Sequence, residues 1–306
     1  MLRQKTIQGG DGPHLLITGG VHGDEFEPMA AVRQLAGRID PARLSGRVTL
    51  VPVVNEAAFA RGMRTAEDGL DLARTCPGRE DGSITERTAA ALSRLIRASD
   101  FYIDLHTGGA ALRILPLAGY TLHTDPEVLE RQRLMARAFN LPIVWGTTAR
   151  LEGRSLSVAR DARVPAIYVE HGGGGGCDPS AVEDCVAGCL QVCSALGMYD
   201  GTAPGDGVRY DVEDDTDSSG HLQVQHPATV AGFFEPAVAL GDVVSPGQTL
   251  GQIVNPLGEI CELVRAQSAG LVLLLRVQPA VQPGDALAAL LPITSPGSVR
   301  YMRSRT

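Results

Sequence analysis

Over the first two thirds of the chain, short apolar runs alternate with longer segments that have the apolar period of a helix. The first run, at 14–20, ends in glycines, and Met29, Val32, Leu35 and Ala36 follow with helical spacing. Alternating strands and helices predict an α/β sheet with helices on both faces. The remaining predicted elements are strands at 48–54, 101–105, near 143 and at 166–169, and helices at 85–99, near 126–139 and at 179–196.

Beyond about residue 202 the pattern changes. An acidic, turn-rich segment at 206–217 is typical of a linker or a solvated loop, and short β-type runs punctuated by Gly and Pro then continue to Leu291. The stretches 243–247 and 281–285 are similar turns, which suggests a pseudo-repeat. A chain of 306 residues fits two domains. We therefore expect an α/β domain at 1–205 and a small all-β domain at 206–306.

Composition excludes several classes of function. The net charge is −8 and no basic run is present, so nucleic acid and an anionic membrane are poor partners. Lys5 is the single lysine among 27 basic residues. Schiff-base, pyridoxal-phosphate and P-loop chemistries each need a positioned lysine, as does attachment of biotin or lipoate. These classes are therefore excluded.

The six cysteines do not form a C-x-x-C motif. Cys185, Cys189 and Cys193 repeat at four-residue intervals, which is typical of small core residues in a reduced compartment. The N-terminus has no apolar signal region, and no apolar run approaches ~18 residues. We expect a cytoplasmic protein.

The loop GGVHGDE, between the first predicted strand and its helix, contains His22 and Glu25. Ligands of open α/β sheets bind at the carboxyl ends of the strands. An imidazole from the loop and a carboxylate from the first helical turn can converge on one metal ion. Alternatively, His22 is a surface residue and Asp24 or Glu25 is a helix N-terminal charge. The short pattern alone leaves both interpretations open.

A second strand ends in Asp104-Leu105-His106, followed by TGG. The two-residue period of a strand places Asp104 and His106 on one side, so the aspartate can support a site there without being a ligand. Together with His22 and Glu25, His106 would complete a His₂Glu set with a position open for water, as in catalytic zinc sites. The alternative is a solvated histidine at a capped strand end.

Glu170 ends a third strand and precedes His171 and five glycines. A carboxylate mounted in this way can act as a general base for a zinc-bound water, and the glycines would let substrate approach closely. His171 should point to the opposite side of the strand. A strand-end glutamate in a salt bridge is the alternative.

The loop-like stretch 55–78 contains Arg61, Arg64 and Arg74. Guanidinium groups can clamp a substrate carboxylate and face a developing oxyanion. Ordinary surface arginines are the alternative interpretation for this segment taken by itself.

Taken together, the motifs GGVHGDE, DGLDLARTCPG, DLHTGG and VEHGGG resemble the succinylglutamate desuccinylase/aspartoacylase family of zinc carboxypeptidase-like amide hydrolases. The similarity extends to GDVVSPGQTLGQIVNPLGE, which resembles the family's β domain, related to biotinyl/lipoyl hairpins. The resemblance implies a zinc carboxypeptidase-like mixed sheet with helices on both faces, followed by a small barrel-sandwich-like β domain.

The resemblance also implies a role for each motif. One zinc ion per chain would be held by His22, Glu25 and His106, with Glu170 as the catalytic carboxylate. The remaining implied roles are polarisation of the scissile carbonyl by Arg64 and substrate binding by Arg74 and Asp71.

One position departs from the family pattern. The family has Asp-Leu-Asn-Arg where this chain has Asp71-Leu72-Ala73-Arg74. Ala73 offers no side-chain donor, so a hydrogen bond worth roughly 1.5–3 kcal/mol to a charged acceptor is missing. Either the substrate carboxylate is held differently or the substrate has none there.

The sequence thus predicts a zinc-dependent amidohydrolase acting on small N-acyl amino acids or related amides. Glu170 would take the water's proton and pass it to the departing amine. Two alternatives remain: a metallocarboxypeptidase acting on short peptides, and a non-catalytic protein that binds ligands through the lipoyl-like β domain. Association into a homo-oligomer is compatible with the sequence.

Overall fold

The computed structural model describes residues 2–201, 205–217, 219–292 and 299–301, with only the backbone for Gln223 and 299–301. The helices are α1 (Phe26–Arg38), α2 (Glu56–Arg61), α3 (Ile84–Arg97), α4 (Pro126–Phe139), α5 (Ser155–Asp161) and α6 (Pro179–Ala195). The strands are β1 (Lys5–Gln8), β2 (Gly10–Thr18), β3 (Ser45–Val51), β4 (Phe101–His106), β5 (Leu112–Thr121), β6 (Ile143–Thr147), β7 (Ala166–Gly173), β8 (Tyr210–Asp214), β9 (His226–Pro227), β10 (Gly232–Pro236), β11 (Val243–Val244), β12 (Thr249–Val254), β13 (Ile260–Arg265), β14 (Gly270–Arg276), β15 (Ala280–Val281), β16 (Ala286–Leu291) and β17 (Val299–Tyr301).

The main sheet is mixed. Its order is β1-β3-β2-β4-β7-β5-β14-β16-β9, and β3, β2, β4 and β7 run parallel. The long strand β5 is antiparallel to β7. On its other side, the first half of β5 pairs with β14 and the second half with β6. The carboxyl ends of β2, β4 and β7 therefore meet at one edge of the sheet.

Helices cover both faces of this sheet, as the sequence predicts. Leu15 and Ile17 of β2 lie in one buried cluster with residues of α1, α4 and α6. Leu16 and Tyr102 lie in a second cluster, with residues of α3 and α5. Because successive strand residues point to opposite faces, the apolar run of β2 fills two cores at once.

Helix α4 shows how local sequence sets the boundaries. Pro126 is the first helical residue, and the backbone N–H of Glu127 donates to the carboxylate of Asp125 at 2.9 Å. Asn140 ends the helix in the left-handed conformation, with a φ of 64°. The observed bounds Pro126–Phe139 are those that the sequence predicts.

The acidic segment is only partly a loop. The expectation of a linker or solvated loop is wrong for β8, which pairs in parallel with β6. Asp211 lies 2.9 Å from Arg137 and Glu213 lies 2.7 Å from Arg133, both arginines being on α4. These ion pairs satisfy two of the six carboxylates that make the segment resemble a linker. The main sheet thus pairs residues on both sides of the predicted domain boundary near 205.

The C-terminal part contributes a second, four-stranded sheet in the order β13-β12-β10-β15. The two turns predicted as a pseudo-repeat are alike. In each, a backbone N–H donates across the turn, from Gln248 to Ser245 at 3.1 Å and from Asp285 to Gln282 at 3.0 Å. In each, the side chain of the fourth residue accepts from the backbone N–H of the first. The pseudo-repeat is confirmed at the level of these turns.

The cysteine stripe lies in the core. Cys185, Cys189 and Cys193 are buried free thiols on the face of α6 that packs toward α1 and α4. Their predicted role as small core residues is confirmed. Across the described ranges, no helix combines the length and the apolar character that crossing a bilayer requires.

Two helical glycines form a matched pair for testing how α6 packs against α4. A Cβ added at Gly188 of α6 would lie 2.3 Å from the ring of Phe139, whereas a Cβ at Gly37 of α1 would meet open space. We expect Gly188→Ala to lower the free energy of unfolding by ~1–3 kcal/mol through overpacking. Gly37→Ala should instead raise it by ~0.4–1 kcal/mol, because alanine restricts the unfolded chain. Chemical denaturation measures the free energy of unfolding of both variants. Equal changes in the two variants would contradict the α4–α6 contact.

Candidate functional site

The candidate site residues come from the carboxyl ends of three parallel strands. His22 lies in the loop after β2, and Glu25 immediately precedes α1. His106 is the last residue of β4. A Cβ at Gly23 would lie 2.1 Å from the backbone of Ala58, so glycine is needed for this loop to pack against α2. Because the strands are parallel, the loops that follow them meet at one edge.

His22, Glu25 and His106 form one buried cluster. Each offers a possible ligand atom, and these atoms lie within 4.8 Å of one another. Oε1 of Glu25 is 2.6 Å from Nδ1 of His22, and Oε2 is 3.1 Å from Nδ1 of His106. The fold thus brings together the three residues that the motifs predict as metal ligands, although up to 84 positions separate them in the chain.

A second carboxylate lies behind each histidine. Oδ2 of Asp104 is 3.2 Å from Nε2 of His106, and Oδ1 of Asp71 is 3.1 Å from Nε2 of His22. Histidine ligands of metals commonly donate their other ring N–H to a carboxylate, which fixes the tautomer. Both Nδ1 atoms can then face the same point. This donor set fits a divalent metal ion of the zinc type.

Asp104 is itself held from two sides. It is buried, its Oδ1 accepts from the hydroxyl of Thr18 at 2.8 Å, and its Oδ2 accepts from the hydroxyl of Ser155 at the start of α5. The hydrogen bonds and His106 keep the pKa of Asp104 below its ordinary value although burial acts to raise it. As the sequence suggested, Asp104 supports the cluster from the same side of β4.

Glu170 lies beside the cluster because of strand register. In the parallel pairing of β4 and β7, Glu170 is the partner of His106. Burial raises the pKa of Glu170 to about 8, and the charge of Glu25 also acts upward while His106 opposes it. His171 points the other way, as predicted, and its Nε2 is 2.9 Å from Asp184 of α6.

Arg64 reaches the cluster and Arg61 does not. The guanidinium of Arg64 donates twice to Oδ2 of Asp71, at 2.8 and 3.2 Å, and its Nη1 is 3.3 Å from Nδ1 of His22. Burial opposes the charge on Arg64, but Asp71 and Glu25 outweigh it and raise its pKa. Arg61 is exposed and lies outside the cavity described below.

Asp71, predicted to bind substrate, makes several contacts with groups of the protein itself. Besides His22 and Arg64, its carboxylate accepts from the backbone N–H of Ala73 at 2.9 Å. These contacts orient an imidazole and a guanidinium. Its substrate-binding role remains a prediction.

Two further arginines, Arg74 and Arg154, line the site, and only Arg74 is predicted from the sequence. The guanidinium of Arg74 donates to the carbonyl of Ala73 at 2.8 Å, and that of Arg154 donates to the carbonyl of Gly220 at 3.3 Å. Burial and the neighbouring Arg74 lower the pKa of Arg154 to about 10. Arg154 stands in a loop just before α5, without a strand-end motif to mark it.

Tyr168, also missed from the sequence, faces the same space. It lies two residues before Glu170 on β7, hence on the same face, and it is opposite Gly119 of β5. A Cβ at Gly119 would lie 2.2 Å from the tyrosine ring, so only glycine leaves room for it. Burial raises the pKa of Tyr168, which therefore stays a neutral hydroxyl.

These side chains surround a cavity of about 100 Å³. Residues after the predicted boundary at 205 also reach it: Gly220, Leu222 and Leu274. The apolar lining from the earlier part of the chain includes Leu112, Ile114, Leu151 and Leu156. This volume is smaller than the ~150 Å³ of a cavity that holds one benzene molecule, so the enclosed part of the site suits a small group.

The fold and the cluster define an α/β protein with a candidate catalytic metal centre at the edge of a mixed sheet. Residues 11–196 match the model of the succinylglutamate desuccinylase/aspartoacylase catalytic domain. The chain is also 32% identical, over 296 residues, to the N-alpha-acetyl-L-2,4-diaminobutyric acid deacetylase of Halomonas elongata, covering 95% of this chain and 85% of the relative. It therefore belongs to the succinylglutamate desuccinylase/aspartoacylase family.

Solved structures agree with this assignment. A succinylglutamate desuccinylase from Silicibacter sp. superposes with a TM-score of 0.85 at 26% identity, covering 94% of this chain and 87% of that one. The product-bound ectoine utilization protein EutE (DoeB) from Ruegeria pomeroyi gives a TM-score of 0.84 at 27% identity, with the same two coverages. The family resemblance inferred from the motifs is confirmed.

The cluster predicts metal binding that depends on Asp104. Zinc added to metal-free protein should stabilise it, by ~2.7 kcal/mol at a hundred times the dissociation constant. We expect Asp104→Asn to weaken zinc affinity ~10- to 100-fold, because His106 loses its charged acceptor and a neutral amide orients the ring less strongly. Competition with a chelator measures the affinity. Asp184→Asn, which alters the Asp–His pair on the other face, is the control, and unchanged affinity in Asp104→Asn would contradict the assignment.

Proposed function

We propose that this protein is a zinc-dependent deacylase that hydrolyses the amide bond of a small N-acyl amino acid. The observation that carries the proposal is the buried cluster of His22, Glu25 and His106 with Glu170 beside it in register. Two of the relatives named above, a deacetylase and a desuccinylase, are deacylases by name, which supports amide hydrolysis. One zinc ion held by the cluster would polarise the amide carbonyl and acidify a water molecule.

The protein's own groups supply the proton transfers and the charge stabilisation. Glu170, in register with His106, can in its ionised form accept a proton from the attacking water and deliver it to the leaving nitrogen. Arg64, fixed by two hydrogen bonds to Asp71, can face the negative charge that develops on the carbonyl oxygen. Both groups are positioned before substrate arrives, so little reorganisation is needed.

Arg74 and Arg154 are suited to hold the substrate carboxylate. Each donates to a backbone carbonyl and neither has an ion-pair partner among the described residues. Their proximity lowers the pKa of Arg154, and a bound carboxylate would relieve that repulsion. We propose that Arg154 supplies the contact that Ala73 cannot make.

The size of the cavity supports a small substrate over a peptide. Its volume is about 100 Å³, and Gly220, Leu222 and Leu274 of the C-terminal part form part of its wall. A metallocarboxypeptidase would also need room for the peptide residues that continue beyond the scissile bond. A non-catalytic binding protein would have no need of Glu170 beside a His₂Glu cluster.

The division into domains 1–205 and 206–306 remains our proposal, as does a barrel-sandwich-like form for the second. Both are supported by the separate apolar cluster formed by residues of the C-terminal strands and by their paired turns. We also propose a cytoplasmic location, supported by the free thiols in the core. Homo-oligomer formation stays a prediction.

Two variants separate the roles of base and ligand. Glu170→Gln should retain zinc and lose ~10²- to 10⁴-fold in kcat, because the amide cannot accept the proton. His106→Ala should lose zinc as well as activity. Metal analysis and turnover of an N-acyl amino acid panel give the two measurements. Near wild-type kcat in Glu170→Gln would show that another group is the base.

The proposed role of Arg154 predicts a selective change in KM. Arg154→Gln should raise KM for an N-acetyl amino acid ~10- to 100-fold, the range expected for a lost charged hydrogen bond. KM for the corresponding N-acetyl amino acid amide, which has no carboxylate, should hardly change. Arg38→Gln, which removes an exposed ion pair with Glu183, is the control. Equal effects on both substrates would contradict carboxylate recognition.

A further inference from the structure

The cavity is lined by polar groups and by six large aliphatic side chains. The polar groups are the His–Glu–His cluster, Glu170, the arginines described above and the hydroxyls of Thr107, Thr121, Thr147, Ser155 and Tyr168. The six aliphatic side chains, called the leucine wall below, are Leu112, Ile114, Leu151, Leu156, Leu222 and Leu274. All but Leu222 are at most 7% exposed. Leu112, Ile114 and Leu274 belong to one buried cluster against which Leu222 packs, so the wall is held in place by core contacts.

The carboxylates around the cavity are already engaged. Glu25 contacts both imidazoles, and Asp104 contacts Thr18, Ser155 and His106. Asp71, at the edge of the site, accepts from His22, Arg64 and the backbone of Ala73, as described above. Glu170 remains, and the proposed reaction uses it as the base.

Two guanidinium groups of the cavity lining have no ion-pair partner among the described residues of the protein. Arg74 and Arg154 both line the cavity, and with the substrate carboxylate bound to them they offer an ammonium group no acceptor. Among the described residues of the lining, no free carboxylate is left to pair with an ammonium group. An unpaired buried charge is strongly disfavoured, whereas an apolar group gains from contact with the leucine wall.

From this distribution we infer that the amino acid released by this enzyme has an apolar, uncharged side chain that contacts the leucine wall. The inference rests on the proposed deacylase function and adds the substrate class. It sets this chain apart from the Halomonas elongata relative, whose named substrate contains 2,4-diaminobutyrate, an amino acid with a second amino group.

Leu222 is the wall residue best placed for a test. It lies in the short 3₁₀ turn Leu222–Val224 that follows Gly220. A Cβ at Gly220 would lie 2.8 Å from Cδ1 of Leu151, so this segment packs directly on another part of the wall. Leu222 itself is only half-buried. Truncating it should therefore alter the cavity more than the stability of the fold.

The experiment compares N-acetyl-L-leucine with Nα-acetyl-L-2,4-diaminobutyrate on the zinc-loaded protein. We expect kcat/KM to favour the leucine substrate by at least ~10-fold, the discrimination that one or two apolar contacts provide. Leu222→Ala should raise KM for N-acetyl-L-leucine ~10-fold and leave KM for N-acetyl-L-alanine nearly unchanged. Leu222→Met should restore most of the affinity. Leu257→Ala, at an 86% exposed leucine of the C-terminal part, is the matched control.

The outcomes separate the substrate class from the function. Equal or better hydrolysis of the diaminobutyrate substrate would overturn the apolar side chain while leaving the deacylase function standing. Failure to hydrolyse any N-acyl amino acid would overturn the function. In that case calorimetry with free L-leucine and free L-2,4-diaminobutyrate still decides the inference, because binding needs no turnover. Tighter binding of leucine supports it, and equal or tighter binding of diaminobutyrate overturns it.

Discussion

A buried carboxylate shared by two imidazoles is the interaction on which this site depends. Glu25 is 1% exposed, and burial alone would raise its pKa, yet His22 and His106 hold that pKa below its ordinary value. Removing either imidazole would leave a buried charge short of a partner, which is far more costly than the loss of a surface ion pair. Asp104 and Asp71 fix the outer ring nitrogens, so both Nδ1 atoms converge on Glu25. The arrangement is chemically matched to a divalent cation, whose charge would compensate the carboxylate further.

Strand register sets the rest of the catalytic geometry. Since Glu170 is paired with His106 across β4 and β7, the base and the nearest imidazole share a row of the sheet and a face. A shift of one residue would turn Glu170 toward α6, where His171 now pairs with Asp184. The packing of α1, α4 and α6 against the opposite face opposes such a shift, because it would bring the polar side chain of Glu170 into an apolar cluster.

The sequence was most informative where a residue's role follows from its local position. The periodic apolar runs predicted β2, β3, β4, β6 and β7 and the helices α1, α3, α4 and α6, but not β1, the long strand β5, α2 or α5. Strand-end motifs identified His22, Glu25, His106 and Glu170. Arg154 and Leu222 were missed because long-range pairing, rather than a local pattern, brings them to the cavity. The same limitation explains the error at β8. Its acidic sequence resembles a solvated loop because the local pattern does not show its ion-pair partners, Arg133 and Arg137, which lie on α4.

Chemistry and specificity therefore have different structural origins in this protein. The proposed base and one imidazole stand on adjacent strands with cores on both sides, so their spacing is insensitive to changes in the loops. Two of the proposed substrate contacts come from connecting segments: Arg154 donates to the carbonyl of Gly220, and Leu222 begins the short 3₁₀ turn that follows. Loops tolerate substitution better than buried strands. A change in the 220–222 segment would thus alter both the position of the Arg154 guanidinium and the shape of the leucine wall, and it would leave the candidate metal cluster intact. Relatives that share one reaction could acquire different substrates in this way.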